Sequence, residues 1–279
     1  MTKPLANKTD IPSFNPGDII ESHTGQVIDF ETLMAELSQT QVVYVGERHP
    51  DKIHHEIQLK ILTSLVNSYG PVDVGMEMFD HSYQAVLNRW SKGQLDQNKF
   101  IELTHWYANW RYDFEFYQPI LSYIKTHQLS LIGLNLPFHI PPKISTGGLD
   151  SLSLEDRKHL PDKIDTTNSD HKQYIKNIFL HHQIPGRNNF SYFYETQCAW
   201  EDGMAETLSK NLGKRKIVVL AGNGHIIKKF GIPQRAFQRT KALYRTIYLT
   251  PVNSKIDFSY GDYIWVTPEV REIRSMNMR

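Results

Sequence analysis

Residues 41–49, QVVYVGERH, and 216–225, KIVVLAGNGH, decide how this chain folds. Each is a continuously apolar, β-branched run that closes on a glycine and then, three residues on, a histidine. A run without polar alternation reads as a strand buried on both faces, the habit of parallel sheets. Four more such runs follow the same rule: VDVGMEM at 72–78, LSLIGLN at 129–135, YRTIYLT at 244–250 and DYIWV at 262–266. Between the first of them, Ile53, Ile57, Ile61, Leu62 and Leu65 recur at helical spacing within 51–69, and 80–92 and 113–127 also read as helices. Strand–helix–strand alternation predicts an α/β fold, a largely parallel β-sheet flanked by helices.

The rhythm breaks over residues 136–215. LPFHIPPKISTGGLD reads as an irregular loop rich in proline and glycine, followed by helical patterns near 170–183 and 189–211 with no strand between them. This stretch is expected to be a helical insertion, a lid, between the third and fourth apolar strands. The flanking strands read as one sheet, so 1–279 is taken as a single domain with a polar N-terminal segment at 1–27.

Composition narrows the function classes. In 279 residues, 31 basic and 30 acidic side chains are well mixed, leaving a formal charge of +1 and no basic footprint for nucleic acid. Cys198 is the sole cysteine, which excludes an internal disulfide and any cysteine-based zinc or iron–sulfur site. No stretch reaches the apolar length of a membrane span. As given, the N-terminus carries neither an apolar signal region nor a lipobox cysteine, and the chain is expected to be soluble.

The two glycine–histidine turns suggest related strand–helix units, each placing a histidine beyond a strand's C-terminal end. In parallel α/β sheets that edge is where ligands bind, and glycine suits a tight turn and close approach there. Other strands end on Glu77 and Asn135, while Gln197 and Glu201, one helical turn apart, share a face. A lid folded over the edge would bring Glu47, His49, Glu77, Asn135, Glu201 and His225 together, a set able to bind a metal or support acid–base chemistry. A lone strand-end glutamate or histidine is more often a cap; four strands ending on such groups are harder to dismiss. His54 and His55 adjoin Ile53 and Ile57, read as core-facing, which places at least one of the histidines on a solvated flank. HHEIQL fails the H-E-x-x-H test because position 59 is Leu59. There is no G-x-S-x-G elbow, P-loop or G-x-G-x-x-G after a strand. Trp106, Tyr107, Trp110, Tyr112, Phe114, Phe116 and Tyr117 crowd one segment, enough to pack a core and wall a planar ligand.

These residues resemble the ChaN-like haem-binding uptake proteins, within the Tiki and erythromycin-esterase-like superfamily. The matching pieces are VGERH, GMEMFDHSYQAVL, the W…FYQPIL stretch, GLNLP, GGLDSLSLEDRKHLP, YETQCAWEDGMAETL and LAGNGHIIKKFGIPQR, in the family's order from about residue 40 to 250. The resemblance implies both glycine–histidine turns in one cleft and a role in bacterial haem or iron acquisition, often as an envelope lipoprotein and homodimer. In the wider superfamily the positions of Glu47, His49, Glu77 and His225 support metal-dependent proteolysis or esterase chemistry. Where the family commonly has a basic residue after GLNLP, this chain has Phe138 and His139. A propionate-holding cation is then sought in His139, Lys143 or Arg111.

Two readings follow, with a binding module that has lost both tasks as the blander third. Haem needs an aromatic slot, axial ligands and cations: Tyr117 is the first tyrosine expected and Tyr112 the second, His49 and His225 are the imidazoles, and Asn135, Gln197 and Arg111 complete the wall. Alternatively, Glu47, His49, Glu77 and His225 hold a divalent transition metal whose water attacks a protease or esterase substrate, with Glu201 or the remaining carboxylate as general base.

Overall fold

The computed structural model describes residues 13–181 and 188–269. Its strands are β1 (Ile19–Glu21), β2 (Gln26–Ile28), β3 (Val42–Glu47), β4 (Asp73–Asp80), β5 (Ser130–Asn135), β6 (Ile217–Gly222), β7 (Tyr244–Pro251) and β8 (Tyr263–Thr267). Its helices are α1 (Phe30–Ser38), α2 (Lys52–Tyr69), α3 (Gln84–Ser91), α4 (Gln97–Leu103), α5 (Trp106–Asn109), α6 (Gln118–Thr126), α7 (Ile140–Gly147), α8 (Leu154–Arg157), α9 (Ser169–His181), α10 (Phe190–Asn211) and α11 (Ile232–Thr240). One sheet runs in the order β2-β1-β8-β7-β3-β6-β4-β5. From β8 to β5 every pairing is parallel; β1 and β2 add an antiparallel hairpin at one edge.

All six apolar runs are strands, and their lack of alternation has a visible cause. Val43 and Val45 of β3, with Val218 and Leu220 of β6, face a core shared with Ile57, Ile61 and Leu65 of α2. The intervening Val42, Tyr44, Ile217, Val219 and Ala221 face a second core with Met204 and Leu208 of α10 and Ile232 of α11. Both faces are therefore covered. The helix starts are set by local chemistry: the Asp29, Asp51, Asp96 and Asn189 side chains each accept from a backbone N–H of the first turn.

The structure refines the sequence expectations at several points. The polar N-terminal segment contains β1 and β2, three-residue strands too short to leave a periodic signal, β2 being largely exposed. The stretch expected to be an irregular loop forms α7 over Ile140–Gly147. Its two prolines fall in the first turn, where a missing N–H costs nothing. In the 80–92 and 113–127 segments a 3-10 turn comes first, so α3 and α6 start late. Residues 182 and 183 of the expected 170–183 helix lie outside the described residues. Finally, the insertion between β5 and β6 is helical, α7 to α10, but α10 is more than a lid. Its C-terminal half is built into the second core, and its N-terminal half brings Gln197 to within 3.2 Å of His225, beyond the end of β6.

Candidate functional site

Parallel β3, β4 and β6 end side by side, so the residues at their C-terminal ends meet. Glu47 closes β3 and is almost wholly buried. Its Oε1 accepts from His49 Nδ1 and from the Tyr117 hydroxyl, each at 2.7 Å, while its Oε2 lies 3.4 Å from His55 Nε2 without an aligned hydrogen bond. Glu77, near the end of β4, accepts the Gly222 N–H at 2.6 Å on Oε2. Its Oε1 faces His225 Nε2 at 3.3 Å and His49 Nε2 at 3.9 Å. The two glycine–histidine turns are thus joined through one carboxylate.

Behind His225 stands a second layer. Gln197 Nε2 lies 3.2 Å from His225 Nδ1 and donates to Glu201 Oε1 at 2.7 Å. Glu201 Oε2 faces His171 Nε2 at 3.5 Å and Arg235 Nε at 3.3 Å; Arg235 also pairs with Asp202. These groups tie α9, α10 and α11 together around a buried charge network.

The electrostatics follow from burial set against pairing. Burial alone would raise the Glu47 pKa, but its hydrogen bond to His49 and its close pairing with His55 outweigh that and bring it to about 2. Burial likewise opposes the charged forms of Glu77 and His225; their mutual attraction wins, lowering Glu77 and raising His225 to about 10. His49 is also raised: burial disfavours its charge, and the Glu47 hydrogen bond with the Glu77 and Glu47 charges overcomes it. The cluster therefore holds two anionic strand-end carboxylates and two protonated-leaning imidazoles.

In front of it opens a cavity of about 480 Å³, lined by His49, Glu77, Trp110, Arg111, Tyr112, Phe138, Pro141, Thr196, Trp200 and His225. That lies within the roughly 300–1,000 Å³ typical of small-molecule and cofactor sites. His49 packs edge-on to Trp110 with ring centroids 4.9 Å apart and tilts over Tyr112 at 5.0 Å. Trp200 stands edge-on to His225 at 5.9 Å. Surface hollows of about 590 and 690 Å³ lie elsewhere, but neither gathers the strand-end carboxylates.

His49, Glu77, His225, Tyr112 and Arg111 face the cavity; other expected residues do not. Tyr117 is fully buried behind His49, and burial and its hydrogen bond to Glu47 push its phenol far above the ordinary range. Asn135 donates to the Glu77 main-chain carbonyl at 2.9 Å and so pins the end of β4. Gln197 and Glu201 stand behind His225, and Glu201 is fully buried against His171 and Arg235. Glu47 is screened by His49 in the same way. Among the described residues no group of three or more His, Cys, Asp or Glu is arranged to hold a metal ion. His139 and Lys143 are paired with Asp156, at 3.3 and 2.7 Å, leaving Arg111 as the cation of the cavity wall.

His54 and His55 overturn the expectation of a solvated flank. Both are buried, while Ile53 is 38% exposed. His54 Nδ1 accepts the Arg48 N–H at 2.8 Å, and His55 lies against the Tyr117 ring at 4.5 Å. Sequence reasoning missed His55, His171 and Arg235 as partners of the site carboxylates. Only the adjacent polar pair in HHEIQL, on the buried side of a helix, offered a signal.

The fold and site define an α/β protein with an aromatic-walled, histidine–carboxylate cleft at the C-terminal edge of a mostly parallel sheet. The model of the family described as haem-binding uptake, Tiki superfamily, ChaN, matches residues 33–236, and the chain belongs to that family. Among solved structures it is similar to ChaN of Campylobacter jejuni, a structure of cofacial haem binding, at 24% identity and a TM-score of 0.72, covering 88% of this chain and 95% of that one. It is also similar to a mutant of the erythromycin esterase EreC in its open conformation, at 14% identity and a TM-score of 0.50, covering 85% and 76% of the two chains. At these identities the likeness concerns the fold. No curated protein matches the sequence. No helix among the described residues is long and apolar enough to cross a membrane.

Proposed function

We propose that this chain binds haem in the cavity in front of His49 and His225, as a component of bacterial haem uptake. The observation that carries the reading is the cavity wall itself: Trp110, Tyr112, Phe138 and Trp200 supply flat apolar surface around a small set of convergent polar groups. The donor set fits the group. Tyr112 is half-buried on the wall, His49 lies against it, and Arg111 offers a cation for a propionate. Haem would supply a ferric iron for which tyrosinate and imidazole are both workable ligands.

Tyr112 is the ligand favoured here. Tyr117 has its hydroxyl committed to Glu47. Both ring nitrogens of His225 face carboxylates or Gln197, and His49 Nδ1 is held by Glu47, which orients its ring against Tyr112. Family membership supports extending the homodimer and the envelope location to this chain; sedimentation with and without haemin tests the first. The metal-dependent hydrolase reading has less support, because Glu47 and Glu201 lie behind the histidines.

A haemin titration followed at the Soret band tests the proposal, with Tyr112→Phe, Tyr117→Phe and His49→Ala alongside. Saturable binding is expected, with the Soret maximum displaced in Tyr112→Phe and retained in Tyr117→Phe. Weak, unsaturable binding in all four proteins overturns haem binding. An unaltered spectrum in Tyr112→Phe overturns the ligand assignment alone.

A further inference from the structure

The segments that feed the parallel strands gather at the edge of the sheet opposite the cavity. Gln41 precedes β3, Val72 precedes β4, Lys216 precedes β6 and Leu243 precedes β7, so all four sit at that one edge. At about 3.3 Å per residue, the length of β3 sets it roughly 20 Å from the cleft histidines. The hollow of about 690 Å³ lies there. Lys214, Arg215, Lys216 and Lys241 line it, and among the described residues no carboxylate does. The first three are consecutive in the sequence; Lys241, at the end of α11, is brought to them by the fold.

Main-chain bonds fix the base of the hollow. The Gln41 N–H donates to the Leu243 carbonyl, the Ile217 N–H to that of Gln41 and the Asp73 N–H to that of Lys216, each at 2.9 Å. Lys216 is the inward member of the cation set: its Nζ donates to the Leu37 carbonyl at 2.8 Å and to that of Thr40, tying α1 to the sheet. Arg215 shares its charge with Asp73 at 3.6 Å. Lys214 and Lys241 are exposed and, among the described residues, enter no ion pair. Beside them stand apolar side chains that neither core takes up. Leu243 is 64% exposed and Tyr69 49%, both on the lining of the hollow. Phe237 is exposed next to Lys241, whose Nζ lies 5.5 Å from its ring centroid. Cations interleaved with exposed aliphatic and aromatic groups suit the boundary of an anionic bilayer, where charge meets headgroups and apolar side chains enter the layer beneath. A nucleic-acid strand would engage the cations but leave Leu243 nothing to enter.

We propose that this edge is a docking face for an anionic phospholipid surface, with Lys214, Arg215 and Lys241 set against headgroup phosphates and Leu243 and Tyr69 entering the headgroup layer. Docked in this way, the chain turns its cavity away from the bilayer and towards water. The inference is independent of what the cavity binds, since it uses none of the cavity residues.

Co-sedimentation of the full chain, without haemin, with lipid vesicles tests this. Vesicles of equal parts phosphatidylglycerol and phosphatidylcholine should retain the protein at low salt and release it at high salt; phosphatidylcholine alone should not retain it. A cation near such a surface is worth roughly fivefold in binding, so Lys214→Gln/Lys241→Gln is expected to weaken retention by about 25-fold and Lys214→Glu/Lys241→Glu to abolish it. The control Lys52→Glu/Lys176→Glu makes the same change in net charge at exposed lysines of α2 and α9, and should bind as the wild type does. Circular dichroism verifies that the variants fold. No retention on the anionic vesicles overturns the proposal, and so does equal retention on phosphatidylcholine alone. Equal losses in the two glutamate variants overturn it too, because net charge rather than this face would then be responsible. A single-stranded oligonucleotide bound more tightly than the vesicles would assign the face to nucleic acid and overturn it as well.

Discussion

Glu77→Gln isolates the charge that joins the two glycine–histidine turns. The glutamine keeps the volume and still offers an oxygen to the Gly222 N–H, so no cavity opens and the change is electrostatic. At 3.3 Å from His225 Nε2, and an effective dielectric near 20, the lost attraction is roughly 5 kcal/mol before desolvation is counted. Glu77 is released from an unfavourable burial, which offsets part of this. The remaining His225 charge is largely buried and keeps, among the described residues, Glu201 at 3.8 Å as its counter-ion. Removing one partner of such a pair costs about 3–5 kcal/mol. The sign with pH is fixed by His225: its folded pKa, about 10, lies above its ordinary 6.5. The stability it contributes is complete below about 6.5 and is lost as pH rises through 10. Urea unfolding at pH 6, 7 and 9, with histidine ring NMR, measures both quantities. Glu77→Gln should unfold more easily by about 3 kcal/mol at pH 7, with His225 titrating well below 10 and the alkaline loss flattened. Half-exposed Glu36→Gln should stay within about 0.5 kcal/mol of wild type. A change below about 1 kcal/mol in Glu77→Gln, with His225 still titrating near 10, would refute the reasoning.

Gly222→Ala would place a methyl 2.9 Å from the His49 ring, so about 1–3 kcal/mol of overpacking is expected, together with a displaced His49 and weakened haemin binding; unchanged binding and stability would show that the ring moves freely. Arg235→Met would leave Glu201 without its guanidinium partner and Asp202 with Arg239 alone, and should lower the unfolding free energy by about 3–5 kcal/mol; a neutral or stabilising result would show that the charge network is replaceable by packing. His54, its pKa lowered to about 4 chiefly by burial, stays neutral in the folded chain while the unfolded chain takes up a proton. Stability should therefore fall as pH drops from about 6.5 to 4, and His54→Asn should flatten that limb in urea titrations.

The glycines of the two turns show where sequence and structure part. Neither Gly46 nor Gly222 has a positive φ, so no left-handed turn demands them. A Cβ on Gly46 would lie 2.0 Å from Asn223 Oδ1, and one on Gly222 would press on His49. The need is close approach, and the neighbours are the chain's own side chains. Likewise Tyr112 and Tyr117, five residues apart in one aromatic segment, are indistinguishable as ligands by type. Burial separates them: one lies on the cavity wall, the other beneath the histidine.

Six unalternating apolar runs were enough to specify a parallel sheet, because burial on both faces leaves no place for polar residues. Their polar ends were enough to point to its C-terminal edge, and Glu77 with the two histidines was legible there. Only the tertiary structure decided which second-row groups complete the site. His55, His171 and Arg235 lie on helices whose register against β3 and α10 is set by packing across the two cores, over sequence distances that no local pattern spans. Local periodicity records what each residue must bury; which charges then face each other depends on how whole elements dock.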